Sequence, residues 1–189
     1  MSILINLHNR IFDLLESVAG WLMPTFARLV FAGVLLFYFW NSAVTKLGDG
    51  LFGIFAPSTG AYAQIFPKKA EAVLYDPSQF SIVEKLIILA GTWAEFILPL
   101  LIVIGLATRL ASIGMIGFVI VQSLTDIRGH GADETTIGSW FDRISDAPIM
   151  DQRAFWLFLL ILLVLRGAGP ISVDAFLRTR SAKSLEQTA

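Results

Sequence analysis

The sequence predicts an all-α membrane protein, a bundle of four transmembrane helices with an amphipathic interfacial helix at each terminus. Two observations lead to this class. Of the 189 residues, 56% are hydrophobic and only 15% are charged, whereas soluble domains carry about 25% charged residues. Four apolar stretches are also long enough to cross a hydrocarbon layer of about 30 Å as helices. We therefore expect residues 1–189 to form a single membrane domain.

Composition excludes several kinds of function. Cysteine is absent, which removes disulfides, iron–sulfur ligation, c-type haem attachment and thiol redox chemistry. The two histidines, His8 and His130, lie outside the spans, which argues against a bis-histidine haem in the bundle. The formal net charge of −1 argues against nucleic acid as a partner. No catalytic nucleophile set is evident, so the sequence favours a protein without catalytic activity or a cofactor of its own.

The first element is an amphipathic helix over residues 1–23. Apolar residues recur there at helical spacing, and polar residues fall mostly on the opposite side. This pattern is typical of a helix in the membrane interface, with Trp21 at headgroup depth; the alternative is a helix packed on the bundle. Pro24 suits the first turn of the next helix, so we predict the first span at 24–47.

The second span is predicted at 81–106 and the third at 109–127. The turn between them is so short that the two helices must form an antiparallel hairpin. The connection 48–80 is too polar and broken to span, but it contains apolar pieces suited to short helices or re-entrant segments. Small residues in both spans should let the helix backbones approach closely. They are Ala90, Gly91, Ala94, Ala111, Gly114 and Gly117.

The fourth span is predicted at 151–167, after a polar loop at 128–150. An interfacial helix at 171–180 and a flexible tail at 181–189 should complete the chain. Four spans place both termini on one side of the membrane. Basic residues are divided evenly between the two sides, but those near the C-terminus and in the tight turn lie close to membrane ends, where they count most. We therefore expect a multi-pass protein of the bacterial inner membrane with both termini in the cytoplasm.

One ionisable residue, Glu95, lies near the middle of the second span. A carboxylate there costs about 2.5–3.5 kcal/mol on insertion scales, so it should have a partner. Arg28, near the start of the first span, is the predicted partner, directly or bridged by water or a polar side chain. The bridging candidates are Asn41, Gln122 and Tyr38, and Lys46 completes the set of intramembrane polar candidates. The pair either fixes helix register or lines a polar cavity for a quinone headgroup, a proton or a small ligand. Lys46 lies at the far membrane edge, where snorkelling of its side chain to the interface is an equally good interpretation.

A second group of side chains follows the third span. One imidazole and three carboxylates within nine residues offer ligands for a divalent metal. They are Asp126, His130, Asp133 and Glu134. Their spacing matches no established zinc or calcium motif, so a solvated acidic loop is the better interpretation.

Three stretches resemble the DoxX family of small four-helix membrane proteins. They are FARLVFAGVLLFYFWNSAVTKL at 26–47, WAEFILPLLIVIGLATRLASIGM at 93–115 and RGAGPISVDAFL at 166–177. The family is named for a subunit linked to a thiosulfate:quinone oxidoreductase. The resemblance implies an accessory or anchoring component of a redox or metal-homeostasis assembly, contact with quinone, and a protein partner or homo-oligomer. Two alternatives stay open: a quinone-reducing subunit of such an oxidoreductase, and a small transporter or channel with a polar path at Arg28 and Glu95.

Overall fold

Residues 2–50 and 52–188 are described by the structure, a computed structural model, and side-chain surroundings are described for 3–50 and 52–181. Within that part, four helical segments are long and apolar enough to cross a membrane, which confirms the predicted all-α four-helix class. The segments are Ile3–Val44, Ile82–Ile104, Thr108–Gly129 and Pro148–Arg166. The same residues contain no β-strand, only an isolated bridge between Leu47 and Pro57.

Nine α-helices build these segments and their connections within the described residues. In chain order they are α1 (Ser2–Phe31), α2 (Phe37–Val44), α3 (Thr59–Ile65), α4 (Pro67–Ala72), α5 (Ile82–Ile104), α6 (Thr108–Leu124), α7 (Glu134–Ile137), α8 (Arg153–Arg166) and α9 (Val173–Thr188). Three π-helical turns lie at Ala32–Leu36, Thr125–Gly129 and Pro148–Gln152.

The first span is one long helix, since α1 continues through a π-helical turn into α2. Pro24 lies inside α1 and is buried, so the predicted start of a new helix there is wrong. A proline inside a membrane helix is tolerated because neighbouring groups compensate for its missing N–H. The hydroxyl of Thr25 donates to the Trp21 carbonyl at 2.9 Å in this same turn. The interfacial placement of residues 1–23 stays a prediction, and Met1 lies outside the described residues.

The hairpin of α5 and α6 has the predicted tight turn. A capping box of Ser81 and Glu84 begins α5, and Gly105 ends it with a φ of 73°. A Cβ added at Gly105 would lie 2.5 Å from the Ser172 Cβ and 2.8 Å from the Arg28 Cζ. Glycine is therefore required both by the backbone conformation and by the close approach of two other segments.

The connection 48–80 folds over the first half of α5 and contains the short helices α3 and α4, as the sequence predicts. A small apolar core joins them to the span. Its buried members are Ala61, Tyr62, Ala70, Phe80 and Ile88. Because Ile88 belongs to α5, the connection packs against the bundle rather than extending away from it.

The last span begins slightly earlier than predicted, at Pro148, and ends at Arg166. Beyond it, α9 reaches Thr188, so the predicted interfacial helix at 171–180 is longer than expected. The helix includes residues 181–188 of the predicted flexible tail, whose flexibility stays a prediction; Ala189 lies outside the described residues.

The centre of the bundle is filled by apolar side chains from all four spans. Phe31 and Phe39 of the first span pack with Ile102 of α5, Met115 of α6 and Leu160 of α8, each no more than 1% exposed. Polar and charged side chains are also buried, among them Arg28, Lys46, Glu95 and Arg153.

Candidate functional site

A groove of about 550 Å³ lies between α5 and α6. Small residues line its walls: Ala90, Gly91, Ala94, Gly114 and Gly117. A Cβ added at Gly117 would meet no described atom within 4 Å, whereas one at Gly114 would lie 3.1 Å from a methyl group of Leu98. The small residues therefore allow the predicted close packing around Gly114, but they leave open space elsewhere along the groove.

A buried ion pair forms the floor of the groove. The Lys46 Nζ lies 2.9 Å from the Glu95 Oε2 and 3.1 Å from its Oε1. It also donates to the Ser42 Oγ at 2.7 Å and to the Ser42 carbonyl at 3.1 Å. Ser42 Oγ in turn donates to Glu95 Oε1 at 3.1 Å. Lys46 and Glu95 are only 5% and 4% exposed, so each charge has its counter-ion in a region of low dielectric constant.

The end of α2 positions this pair. Lys46 follows the helix, and its side chain turns back by one helical turn to reach Ser42, four residues earlier. In that orientation the ammonium lies closer to the middle of the first span than the Lys46 backbone does. The indole N–H of Trp40 donates to the Phe96 carbonyl at 3.1 Å, which ties α2 to α5 one residue away from Glu95.

The predicted pair of Arg28 and Glu95 is wrong. Arg28 instead donates to four backbone carbonyls, those of Ile102 (2.9 Å), Val103 (2.5 Å), Ala168 (2.9 Å) and Ile171 (2.5 Å). Ile102 lies seven residues beyond Glu95 on α5, about 10 Å farther along the helix axis. Carbonyls at the end of a helix have no partner within it, and a guanidinium with five donors in one plane can satisfy several of them together.

Arg28 belongs to a group that closes the turn between α5 and α6; we call Arg28, Gly105 and Asp174 the turn cluster. The carboxylate of Asp174 accepts from the N–H of Ala107 at 2.7 Å and of Thr108 at 3.0 Å. The Asp174 N–H donates to the Gly105 carbonyl at 2.8 Å. Burial alone would raise the pKa of Asp174, but these backbone N–H groups outweigh it and lower the pKa below its ordinary value. An aspartate in the first turn of a helix is common, so the sequence carries no signal for this role.

The remaining intramembrane candidates divide between two places. Gln122 lies on the wall of the groove, and its Nε2 donates to the Tyr38 hydroxyl at 3.0 Å. Its Oε1 is buried and accepts no hydrogen bond from the described residues. Asn41 is exposed and does not line the groove. Three predicted candidates thus meet at the groove: Lys46, Glu95 and Gln122.

The predicted metal site is not assembled. Among the described residues, no three histidine, cysteine, aspartate or glutamate side chains are grouped to hold a metal ion. His130 Nε2 lies 3.0 Å from the Gln64 carbonyl. Asp133 begins α7, where its side chain accepts from the Thr136 N–H at 2.7 Å, and this bond lowers the pKa of Asp133. Glu134, the fourth predicted ligand, lies in the first turn of that short helix.

The metal candidate Asp126 has a different partner, Arg153, which the sequence pattern does not predict. Their closest N–O distance is 2.5 Å, and Arg153 also donates to the Ser123 Oγ at 2.9 Å. Arg153 is 6% exposed, and Asp126 lines the rim of the groove together with His130. The sequence feature that could have predicted this pair is an aspartate at the end of the third span followed by an arginine at the start of the fourth.

Compared with protein-family models, with curated proteins and with solved structures, the chain matches none of them. The choice among functions therefore depends on the geometry of the groove and on the sequence resemblance.

Proposed function

We propose that this chain is a DoxX-like protein of the bacterial inner membrane, with both termini in the cytoplasm. In this proposal it is an accessory or anchoring component of a redox assembly, and it holds a quinone in the groove between α5 and α6. The observation that carries the proposal is the opening of about 550 Å³ with the buried Lys46–Glu95 pair at its floor.

The groove is suited to a ligand that arrives from the bilayer. Ile87 of α5 and Val121 of α6, at its edges, are 49% and 62% exposed on the apolar surface of the spans. Its floor, by contrast, is buried and polar. A volume of about 550 Å³ falls within the roughly 300–1,000 Å³ of ordinary small-molecule sites. A lipid-soluble molecule with one polar end matches both surfaces.

The charges around the groove favour a neutral head group. Lys46 compensates Glu95 at the floor, and Arg153 compensates Asp126 at the rim. An additional charge on the ligand would have no counter-ion there and would carry a desolvation penalty. A quinone is neutral, lipid-soluble and polar at its ring, so it fits this electrostatic environment.

The turn cluster supports the family part of the proposal. Arg28, Gly105 and Asp174 come from the three separate stretches that resemble the DoxX family, one from each. The Asp174 N–H donates to the Gly105 carbonyl, and Arg28 leaves no room for a side chain at Gly105. The three short motifs therefore have one common structural role, which makes the resemblance more specific than any motif alone.

Filling the groove tests the proposal. The change is Gly117→Leu, and its control is Gly33→Leu, because Gly33 is also exposed and a Cβ there would meet no described atom within 4 Å. Binding of decylubiquinone to the purified protein in lipid nanodiscs is followed by quenching of tryptophan fluorescence. We expect Gly117→Leu to weaken binding about tenfold or more, equivalent to at least about 1.4 kcal/mol. Gly33→Leu should bind as the parent protein does.

Equal melting temperatures of the two variants are the required control for folding. Saturable binding that Gly117→Leu leaves unchanged would contradict a quinone in the groove, and so would the absence of saturable binding to the parent protein.

The two alternative functions, a quinone-reducing subunit and a transporter or channel, differ in their support. A quinone-reducing subunit needs a partner that carries the redox centre, since this chain has no cysteine; co-purification of a flavin- or metal-containing protein in mild detergent favours it. A transport path through Arg28 and Glu95 has less support, because four of the five Arg28 donors are directed to backbone carbonyls, two at the end of α5 and two after α8, and none to Glu95.

A further inference from the structure

At the floor of the groove, the hydrogen-bond donors are all used within the protein, whereas acceptors remain open. An ammonium group has three N–H donors. Those of Lys46 face four acceptors, the two carboxylate oxygens of Glu95 and the hydroxyl and carbonyl oxygens of Ser42, all within 3.1 Å. Lys46 thus has no donor left for a ligand in the groove.

The Ser42 hydroxyl is also fully used as a donor. Its one proton is directed to Glu95 Oε1 at 3.1 Å. The donors at the floor of the groove are therefore consumed within the protein itself.

Acceptors remain open at the same place. Glu95 Oε1 accepts from both Lys46 and Ser42, but Oε2 accepts only from Lys46 among the described residues. A carboxylate offers about four lone-pair sites in all. On the groove wall, one N–H of the Gln122 amide is directed to Tyr38. Its second N–H and its buried Oε1 have no partner in the described part of the chain, so this amide can either donate to a ligand or accept from it.

A buried acceptor without a donor costs free energy, and a ligand that supplies the donor recovers it. We propose that the groove selects the reduced, hydroxyl-bearing form of its ligand, a hydroquinone, over the oxidised quinone. A hydroquinone O–H can donate to the Glu95 carboxylate, which only accepts, whereas a quinone carbonyl cannot bond to that carboxylate and can use only the free N–H of Gln122. The inference rests on the proposed quinone-binding function and specifies which redox form that site holds.

The charge of the ligand also favours a hydroquinone. A phenolic hydroxyl has a pKa of about 10, so the reduced ring stays neutral near pH 7 and does not repel the Glu95 carboxylate. A hydrogen bond to a charged acceptor is stronger than one between neutral groups, so Glu95 should contribute most of the selectivity.

The experiment compares two probes on one protein. Decylubiquinol, kept reduced under anaerobic conditions, and decylubiquinone are titrated against the parent protein in nanodiscs. We expect the quinol to bind about tenfold more tightly or better, the factor that one charge-assisted hydrogen bond supplies.

Variants locate the selectivity. Gln122→Leu removes an amide that can bond to either form, so it should weaken both and leave in place the quinol preference that Glu95 sets. Tyr38→Phe is the matched control, because it removes the hydroxyl that Gln122 already contacts and leaves Glu95 and the amide in place. It should keep the parent preference.

The outcomes separate the two proposals. If both forms bind with equal affinity, or the quinone binds more tightly, selection of the reduced form is overturned while quinone binding stands. If neither form binds, the proposed function fails and this inference fails with it. The ratio for the parent protein decides the inference even if Gln122→Leu does not fold.

Discussion

Two polar clusters lie along the same helix, α5, and they differ in what their side chains bond to and in the space beside them. In the turn cluster, the Arg28 guanidinium meets four carbonyls and the Asp174 carboxylate meets two N–H groups, all from the backbone. At the groove floor, Lys46, Ser42 and Glu95 bond to one another beside an open groove, and the wall of that groove carries the unpaired Oε1 of Gln122. The comparison favours a structural role for the first cluster and the proposed ligand-binding role for the second.

Glycines show the same contrast. Gly105 lies where two other segments press against the backbone, so that a Cβ would approach the Ser172 Cβ to 2.5 Å. Gly117 lies where a Cβ would meet no described atom within 4 Å. One glycine is required for contact and the other leaves space.

Removing Arg28 should have the largest effect on the fold. Arg28→Met leaves three of its four carbonyl partners without a donor among the described residues, at about 1–3 kcal/mol each, which together approaches the whole stability of a typical domain. The fourth carbonyl, that of Ile102, still accepts from the Gly105 N–H. We expect little folded, monodisperse protein after extraction in mild detergent, measured by size-exclusion chromatography. Arg109→Met is the control, since Arg109 makes one exposed bond of 3.3 Å to the Leu165 carbonyl. Normal elution of both variants would show that the turn cluster does not hold the fold together.

Breaking the groove pair should have the next largest effect. Lys46→Met leaves the Glu95 carboxylate buried without a counter-ion, and such changes cost about 3–5 kcal/mol. The double change Lys46→Met with Glu95→Gln removes both charges and should recover most of the melting temperature but not ligand binding. Full recovery of binding by the double variant would contradict a role for the pair in the site.

A second lysine–glutamate pair calibrates this measurement. Lys69 and Glu84 lie 2.6 Å apart, but their side chains are 37% and 21% exposed. Partly exposed pairs contribute little because solvent screens them, so Lys69→Met should lower the melting temperature far less than Lys46→Met.

The smallest of these effects concerns Asp174 and depends on pH. Asp174→Asn should cost about 1 kcal/mol near pH 7, because one of the two backbone N–H groups loses its charged acceptor. The pKa of Asp174 is lowered in the folded protein, so its contribution is complete above the unfolded value of about 3.9 and is lost as the pH falls through the folded value. The gap in melting temperature between parent and variant should therefore close below about pH 4.

Asp49→Asn, in an exposed loop, supplies the baseline for that series. A gap between parent and Asp174→Asn that stays constant from pH 7 to pH 3 would show that the carboxylate charge does not stabilise the turn.

The sequence by itself determined the class of the protein and the problem that its spans must solve. Four apolar stretches with few charges can only be satisfied as helices in a bilayer, because backbone groups in hydrocarbon must bond within the segment. Glu95, alone near the middle of a span, requires a counter-ion because a charge in a region of low dielectric constant is costly. Those conclusions depend on residue type and spacing, which the sequence gives directly.

Only the tertiary structure decided which counter-ion that is. Position along the chain placed Lys46 at the membrane edge, but its side chain reaches back one turn to Ser42 and into the bundle. Arg28 donates instead to carbonyls at the ends of other segments, three of which have no other donor among the described residues, and no local pattern predicts this arrangement. Both choices depend on where distant segments come together in three dimensions, and the groove between α5 and α6 exists for the same reason.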